Sequence, residues 1–163
     1  MRQNEGDGNK GLNVGGKAPD FALATDGGGA VRLADLKGKA VALYFYPKDG
    51  TSGCTAEAIA FSGLKAKFAA ANAVVIGVSP DSAAAHDKFK KKHGLGVALA
   101  SDPERSAIEA YGVWKEKSMY GRKYFGVERS TFLIGRDGRI ARIWRKVKVP
   151  GHAEEVLAAA QAV

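Results

Sequence analysis

Two apolar runs limit what this chain can fold into. Residues 40–46 and 74–79 are each almost continuously apolar, the pattern of a strand covered on both faces. Between them, Phe61, Leu64 and Phe68 fall at i, i+3 and i+7. That stripe predicts one helix over 55–71 with an inward apolar face. Strand, helix and strand over 41–79 demand a parallel pair joined by a right-handed crossover. Further on, residues 131–134 and 140–144 flank Gly135-Arg136-Asp137-Gly138-Arg139. Its Asp-Gly pair predicts a hairpin, so the same chain must also hold an antiparallel pair.

The remaining segments fit around these. Residues 17–23 and 30–33 read as short extended pieces joined by the turn Asp26-Gly27-Gly28-Gly29, because Pro19 disfavours helix before it and the turn residues favour reversal. Pro80-Asp81-Ser82 opens a predicted helix over 82–93, with Asp or Ser as its cap, and Gly94-Leu95-Gly96 closes it. A short strand at 98–100, a short helix at 106–111, a loop at 112–126 and a last helix at 153–162 complete the order. Glu154 and Glu155 suit the first turn of that last helix. A mixed sheet with helices on both faces satisfies every demand, so the predicted class is α/β, with a thioredoxin-like order. The 163 residues suit one domain. Residues 1–13, polar and Gly-rich, are expected to be a disordered tail, and 14–163 a single domain.

Charge and residue usage exclude several functions. The net charge of +8 invites a nucleic-acid reading. Yet Lys90-Lys91-Lys92 is a single short run that reads as a solvated helix face, and no RNA-binding aromatic motif or zinc-finger spacing is present. No run approaches the roughly 18 apolar residues of a membrane span, and the polar N-terminus shows no secretory signal. His86, His93 and His152 show no ligand spacing. They read as solvent or packing histidines, and neither a metal nor a cofactor is expected. Lys48 and Asp49 read as solvated turn residues. Trp114 and Trp144 read as core or near-core, and residues 118–126 as either a hydrophobic rim beside a site or an ordinary packed loop.

The chemistry gathers at Cys54, the one cysteine in the chain. It follows the strand at 40–46 and a turn, where a helix is due to begin. Unpaired backbone N–H groups and the dipole at a helix start favour thiolate over thiol, and the thiolate is the nucleophile. A lone cysteine forms no internal disulfide, and a reducing cytoplasm is the default compartment.

Pro47-x-x-x-Thr51-x-x-Cys54 is similar to the active-site pattern of peroxiredoxins. Tyr44-Phe45-Tyr46-Pro47-Lys48-Asp49, Gly53-Cys54-Thr55-x-Glu57 and Glu128-Arg129-Ser130-Thr131-Phe132-Leu133-Ile134 resemble the peroxiredoxin Q branch, also called bacterioferritin comigratory protein. The resemblance covers about residues 14–160. It implies a thioredoxin-like fold and reduction of hydrogen peroxide and organic hydroperoxides. Peroxide reduction is displacement on an O–O bond; it needs a thiolate and donors for peroxide and departing oxygen. Cys54 supplies the sulfur. Thr51 is expected to turn its hydroxyl to the sulfur or the peroxide, the Cys54 N–H is a free helix-start donor, and Pro47 offers an apolar wall. By the resemblance, Arg129 reaches the cysteine from a distant strand, and Glu57 is the acid that orients it.

The chain departs from the branch in two places. Many members carry a resolving cysteine five residues after the first, where this chain has Ile59. Others place it in the next helix, and residues 82–93 contain none. Ser52 stands where proline is common. The sulfenic acid formed on Cys54 is therefore expected to be resolved by an external thiol: a thioredoxin, a glutaredoxin or a low-molecular-weight thiol. The chain is expected to act as a monomer or weak dimer. The alternative reading is a peroxide-sensing relay that passes oxidation to a partner through a mixed disulfide.

Overall fold

The computed structural model of the chain describes residues 12–163. The segment at 1–11, most of the expected tail, lies outside the described residues, while Leu12 is already buried in the core.

Strand β1 (Ala22–Thr25) and strand β2 (Ala30–Arg32) form the first hairpin, around Asp26–Gly28. Strand β3 (Ala40–Phe45) is followed by α1 (Ser52–Gly63), α2 (Lys65–Ala70) and β4 (Ala73–Ser79). The parallel pairing of β3 with β4 runs from Ala40↔Ala73 to Phe45↔Val78, the crossover unit that the two apolar runs required. Helix α3 (Ala83–His93) leads to β5 (Ala98–Ser101), which pairs parallel to β4. Helix α4 (Ser106–Ala110) precedes a separate two-stranded hairpin of β6 (Trp114–Met119) and β7 (Arg122–Val127). Strand β8 (Ser130–Ile134), β9 (Ile140–Trp144) and α5 (His152–Ala162) complete the chain. The main sheet has seven strands in the order β2-β1-β5-β4-β3-β8-β9. It is mixed, as expected, with β8 antiparallel to β3 and β9 antiparallel to β8 across the Asp137-Gly138 turn.

Every residue of β3 is buried. Alternation sends Ala40, Ala42 and Tyr44 to one core with Phe61, Phe68, Val156 and Leu157 of α1, α2 and α5. Val41, Leu43 and Phe45 go to a second core with Ile108, Tyr111 and Phe132. The backbone of β4 leaves room for one of these side chains. A methyl group on Gly77 would lie 2.6 Å from Tyr44 Cζ, and Tyr44 itself is stacked 4.7 Å from Phe61 and 5.5 Å from Tyr46. Gly77→Ala is expected to overpack this stack and cost roughly 1–3 kcal/mol, read as a lower denaturant midpoint with unchanged slope.

Three local expectations change. The helix predicted over 55–71 starts earlier, at Ser52, and breaks into two at Leu64. There the Leu64 N–H bonds back to the Phe61 carbonyl, a tighter 3₁₀-type turn next to the weak helix former Gly63. The segment predicted as a loop at 112–126 is the β6–β7 hairpin. Tyr120 (φ 53) and Gly121 (φ 77) both take positive φ at its two-residue turn, as a turn matched to strand twist requires. Most of β7 is solvent-exposed, so no buried face imposes an apolar period on the sequence. The Lys90–Lys92 run does lie in the last turn of α3, but Lys90 is half-buried and pairs with Asp26 at 2.8 Å. The cap of α3 is Ser82, whose Oγ accepts the Ala85 N–H at 3.1 Å.

Candidate active site

The parallel strands β3, β4 and β5 place their C-terminal ends side by side, and open α/β sheets bind ligands at that edge. The chain leaving β3 turns through Pro47–Gly50 and enters α1 with Thr51 as its cap residue. Cys54 is the third residue of the helix. The first N–H to find a helical acceptor is that of Thr55, which bonds to the Thr51 carbonyl at 2.9 Å. Cys54 therefore sits in the turn whose N–H groups have no intrahelical partner. It is a free cysteine and only 1% exposed.

Arg129, between β7 and β8, reaches it. Its Nη2 donates to Cys54 Sγ at 3.4 Å and its Nη1 donates to Glu57 Oε1 at 2.7 Å. One guanidinium thus holds the sulfur with one arm and a carboxylate with the other. The approach depends on Gly53, where a methyl group would lie 3.0 Å from Arg129 Nη2. Burial is the largest influence on the arginine and opposes its charge; Glu57 and Cys54 outweigh it, so its affinity for the proton is raised.

Glu57 is 1% exposed in its side chain. Oε1 is paired, but Oε2 is buried without a hydrogen-bond partner among the described residues. Burial therefore outweighs the help from Arg129, and the carboxyl is pushed up to about 7. Its folded value exceeds its unfolded one. Its contribution to stability is thus fully present below about pH 4.5 and is lost as pH rises through about 7. Glu57→Gln is expected to flatten the stability profile across that window, measured as urea midpoints between pH 5 and pH 8. A parallel decline in both proteins would show that Glu57 is not the titrating group.

The Thr51 hydroxyl, expected to face the sulfur, donates to the Lys48 carbonyl at 2.9 Å. This leaves its lone pairs, not its proton, for a ligand. Pro47 is half-buried in the same turn. Tyr44 packs in the core that contains Cys54, with its hydroxyl buried and without a partner among the described residues. Burial first, then the Glu57 and Cys54 charges, raise this phenol well above its ordinary range. The β6–β7 hairpin is close enough for Lys117 to sense both Arg129 and Cys54. Beyond it, Met119, Tyr124, Phe125 and the 96% exposed Tyr120 form an apolar tip rather than a packed loop.

Asp49 is a correction, and of the two expectations for the histidines it is packing that His86 and His152 meet, both being buried. His152 bonds Thr131 Oγ1 through Nε2 at 2.8 Å and meets the Phe61 ring edge-on. His86 Nδ1 lies 2.6 Å from Asp49 Oδ2, and the Asp49 side chain is only 8% exposed. Donor atoms of Asp49, Asp81 and His86 all lie within 4.8 Å of one another, but hydrogen bonds already engage them. No spacing linked these three. The signal available was topological: residues 47–49 and 80–81 follow neighbouring parallel strands, so their turns must meet.

This fold and site define a class. The AhpC/TSA family model matches residues 14–143, and the chain belongs to that family. Peroxiredoxin Bcp of Bacillus subtilis is 52% identical over 90% of this chain and 93% of its own. Peroxiredoxin Bcp of Xanthomonas campestris is 46% identical over 88% of this chain and 89% of its own. Within the family, the chain is thus a peroxiredoxin of the Q, or bacterioferritin comigratory protein, branch. A solved structure of the Xanthomonas campestris bacterioferritin comigratory protein, studied for alkyl peroxide reduction, superposes with a TM-score of 0.86. It is 42% identical and the match covers 92% of this chain and 98% of that one. The thioredoxin-like sheet expected from the element order is shared with these neighbours.

Proposed function

We propose that this chain, a thiol-dependent peroxidase by its family, reduces hydrogen peroxide and organic hydroperoxides through attack by Cys54. The observation that carries this reading is the Arg129 fork, which holds Cys54 Sγ and Glu57 at once. The cation and the first-turn N–H groups stand beside the reacting sulfur. The thiolate attacks one peroxide oxygen, the O–O bond breaks, and Cys54 becomes a sulfenic acid. The other oxygen leaves as alkoxide or hydroxide and takes up a proton to give alcohol or water. Arg129 offers N–H donors to the developing oxyanion, Thr51 accepts a hydrogen bond from the peroxide O–H, and Pro47 walls the turn.

No second cysteine exists to close a disulfide. An external thiol condenses with the sulfenic acid, releasing water and leaving a mixed disulfide, and a second thiol exchanges to restore Cys54. A single domain over 14–163, acting in a reducing cytoplasm as a monomer or weak dimer, fits this chemistry. No helix among the described residues is long and apolar enough to cross a membrane. Intact-mass measurement after one equivalent of peroxide tests the reading. Addition of one oxygen atom, converted to a thiol adduct when thiol is supplied, is expected. An unchanged mass in wild type would end it.

A further inference from the structure

We propose that His86 is a positioning residue for the peroxidase reaction: as an imidazolium held between Asp49 and the Ala100 carbonyl, it clamps, together with Asp81, the turn that carries Pro47 and Thr51. The inference rests on the peroxidase reading above and adds to it a device outside the Pro47, Thr51, Cys54 and Arg129 set.

The protonation state follows from which atoms accept. His86 Nε2 lies 3.0 Å from the Ala100 carbonyl oxygen. A carbonyl oxygen only accepts, so Nε2 carries a hydrogen. Nδ1 lies 2.6 Å from Asp49 Oδ2. A neutral ring would aim its lone pair at that carboxylate. With the ring doubly protonated, both short contacts become donated hydrogen bonds, one of them charge-assisted. Asp49 is an acceptor on its other oxygen as well, taking the Tyr46 hydroxyl at 2.6 Å. The side chain of His86 is fully buried, so water offers neither nitrogen an alternative partner.

The turn is held from its backbone too. The Asp49 N–H donates to Asp81 Oδ2 at 2.8 Å, and the Ser79 hydroxyl donates to that same oxygen at 2.7 Å. Asp81 is itself fixed, because its carbonyl accepts the Ser101 hydroxyl at 2.6 Å. The ends of β4 and β5 and the second turn of α3 thus grip one residue, Asp49, by side chain and main chain. Two residues on, Thr51 caps α1, and its hydroxyl is already tied to the Lys48 carbonyl. Loss of the grip frees the turn that sets Pro47 and Thr51 relative to Cys54, and small misplacements at a reacting centre are costly.

The charges around His86 make the clamp sensitive to pH. Asp49 from the turn and Asp81 beyond β4 favour the imidazolium, and Asp26 from the first hairpin feels it, though Lys90 neutralises Asp26. Tyr46, 3.5 Å from Nδ1, stays neutral because burial holds its phenol far above its ordinary range. Burial of the ring is the largest single influence and opposes its charge, but its partners outweigh it and raise the histidine above 6.5. The clamp is therefore complete below that value and released as pH rises through the raised one.

The test is single-turnover oxidation of Cys54 by hydrogen peroxide, without thiol, in wild type, His86→Gln, Asp49→Asn and the double variant. Near-UV circular dichroism reports the fold. Each single variant is expected to lose about tenfold or more in oxidation rate with native dichroism, and the double variant little beyond that, because both cut the same link. Wild type is expected to show an alkaline decline in rate and, after correction for intrinsic exchange, a loss of amide protection at 48–51, both absent from the pH dependence of His86→Gln. Asp81→Asn, which leaves the His86–Asp49 pair intact, supplies a second route if His86→Gln does not fold; it is expected to speed amide exchange at 49. Folded variants with the wild-type rate and pH profile overturn the inference. Failure of wild type itself to react overturns the peroxidase reading instead.

Discussion

Cys54→Ser is expected to abolish peroxide consumption, with a loss of at least about a thousandfold in the oxidation step, because a hydroxyl is a poor nucleophile without a strong base beside it. The substitution is close to isosteric, and the Arg129 Nη2 donor that now faces sulfur at 3.4 Å can face the serine oxygen. A buried hydroxyl with a partner costs little, so the fold is expected to survive and the lost activity to report chemistry. Glu57 Oε1, the carboxylate oxygen held by the same arginine, is already engaged as an acceptor. Stopped-flow peroxide consumption beside a thermal melt makes the measurement. A serine variant that turned over at the wild-type rate would move the nucleophile away from residue 54, and the chain has no other cysteine to receive it.

Arg129→Ala is expected to cost about a hundredfold to a thousandfold in oxidation rate, the range for removing one preorganised donor from a developing oxyanion. It carries a second, separable effect. Glu57 is left buried without its cation, and breaking such a pair costs about 3–5 kcal/mol if the remaining charge persists. Glu57 escapes part of this by keeping its proton, since its carboxyl already stands at about 7 with the arginine present. Without Arg129 its folded value moves further above the unfolded one. The variant is thus expected to be nearly as stable as wild type at pH 5 and clearly weaker at pH 8. Adding Glu57→Gln should restore stability at pH 8 but leave the rate low. Recovery of both together would mean that Arg129 matters only as a counter-ion.

The sequence revealed most where burial constrains it. The runs at 40–46 and 74–79 lie in strands enclosed on both faces, and nothing but a central parallel pair accommodates them. The Asp-Gly turn fixed the β8–β9 hairpin for the same kind of reason, a local geometry with few alternatives. The β6–β7 hairpin was invisible because most of β7 faces solvent, where Lys123 serves as well as valine. The break at Leu64 was hidden because the apolar stripe continues across it. At the site, Cys54, Thr51, Pro47 and Arg129 were legible through a motif. The pairing of Glu57 with Arg129 came from the same resemblance, whereas no sequence pattern carries the turn of the Thr51 hydroxyl to Lys48. The partners of His86 were not legible because Asp49 and Ala100 lie 37 and 14 residues away, joined by sheet topology and by no spacing.

Helix α1 carries both Cys54 and Ile59, the latter 49% exposed. Five residues along a wound helix separate Cα atoms by about 8–9 Å, beyond the roughly 7 Å that a disulfide spans. A cysteine at 59 would therefore make each catalytic cycle wait on fraying of the helix, a unimolecular step with a ceiling set by the fold. Isoleucine there removes that ceiling and replaces it with a race. The oxidised sulfur meets either a thiol or a second peroxide, and the ratio of the two concentrations decides between recovery and irreversible sulfinic acid. The protein's working lifetime is then governed by how reducing its surroundings are, and hardly by how tightly α1 is wound.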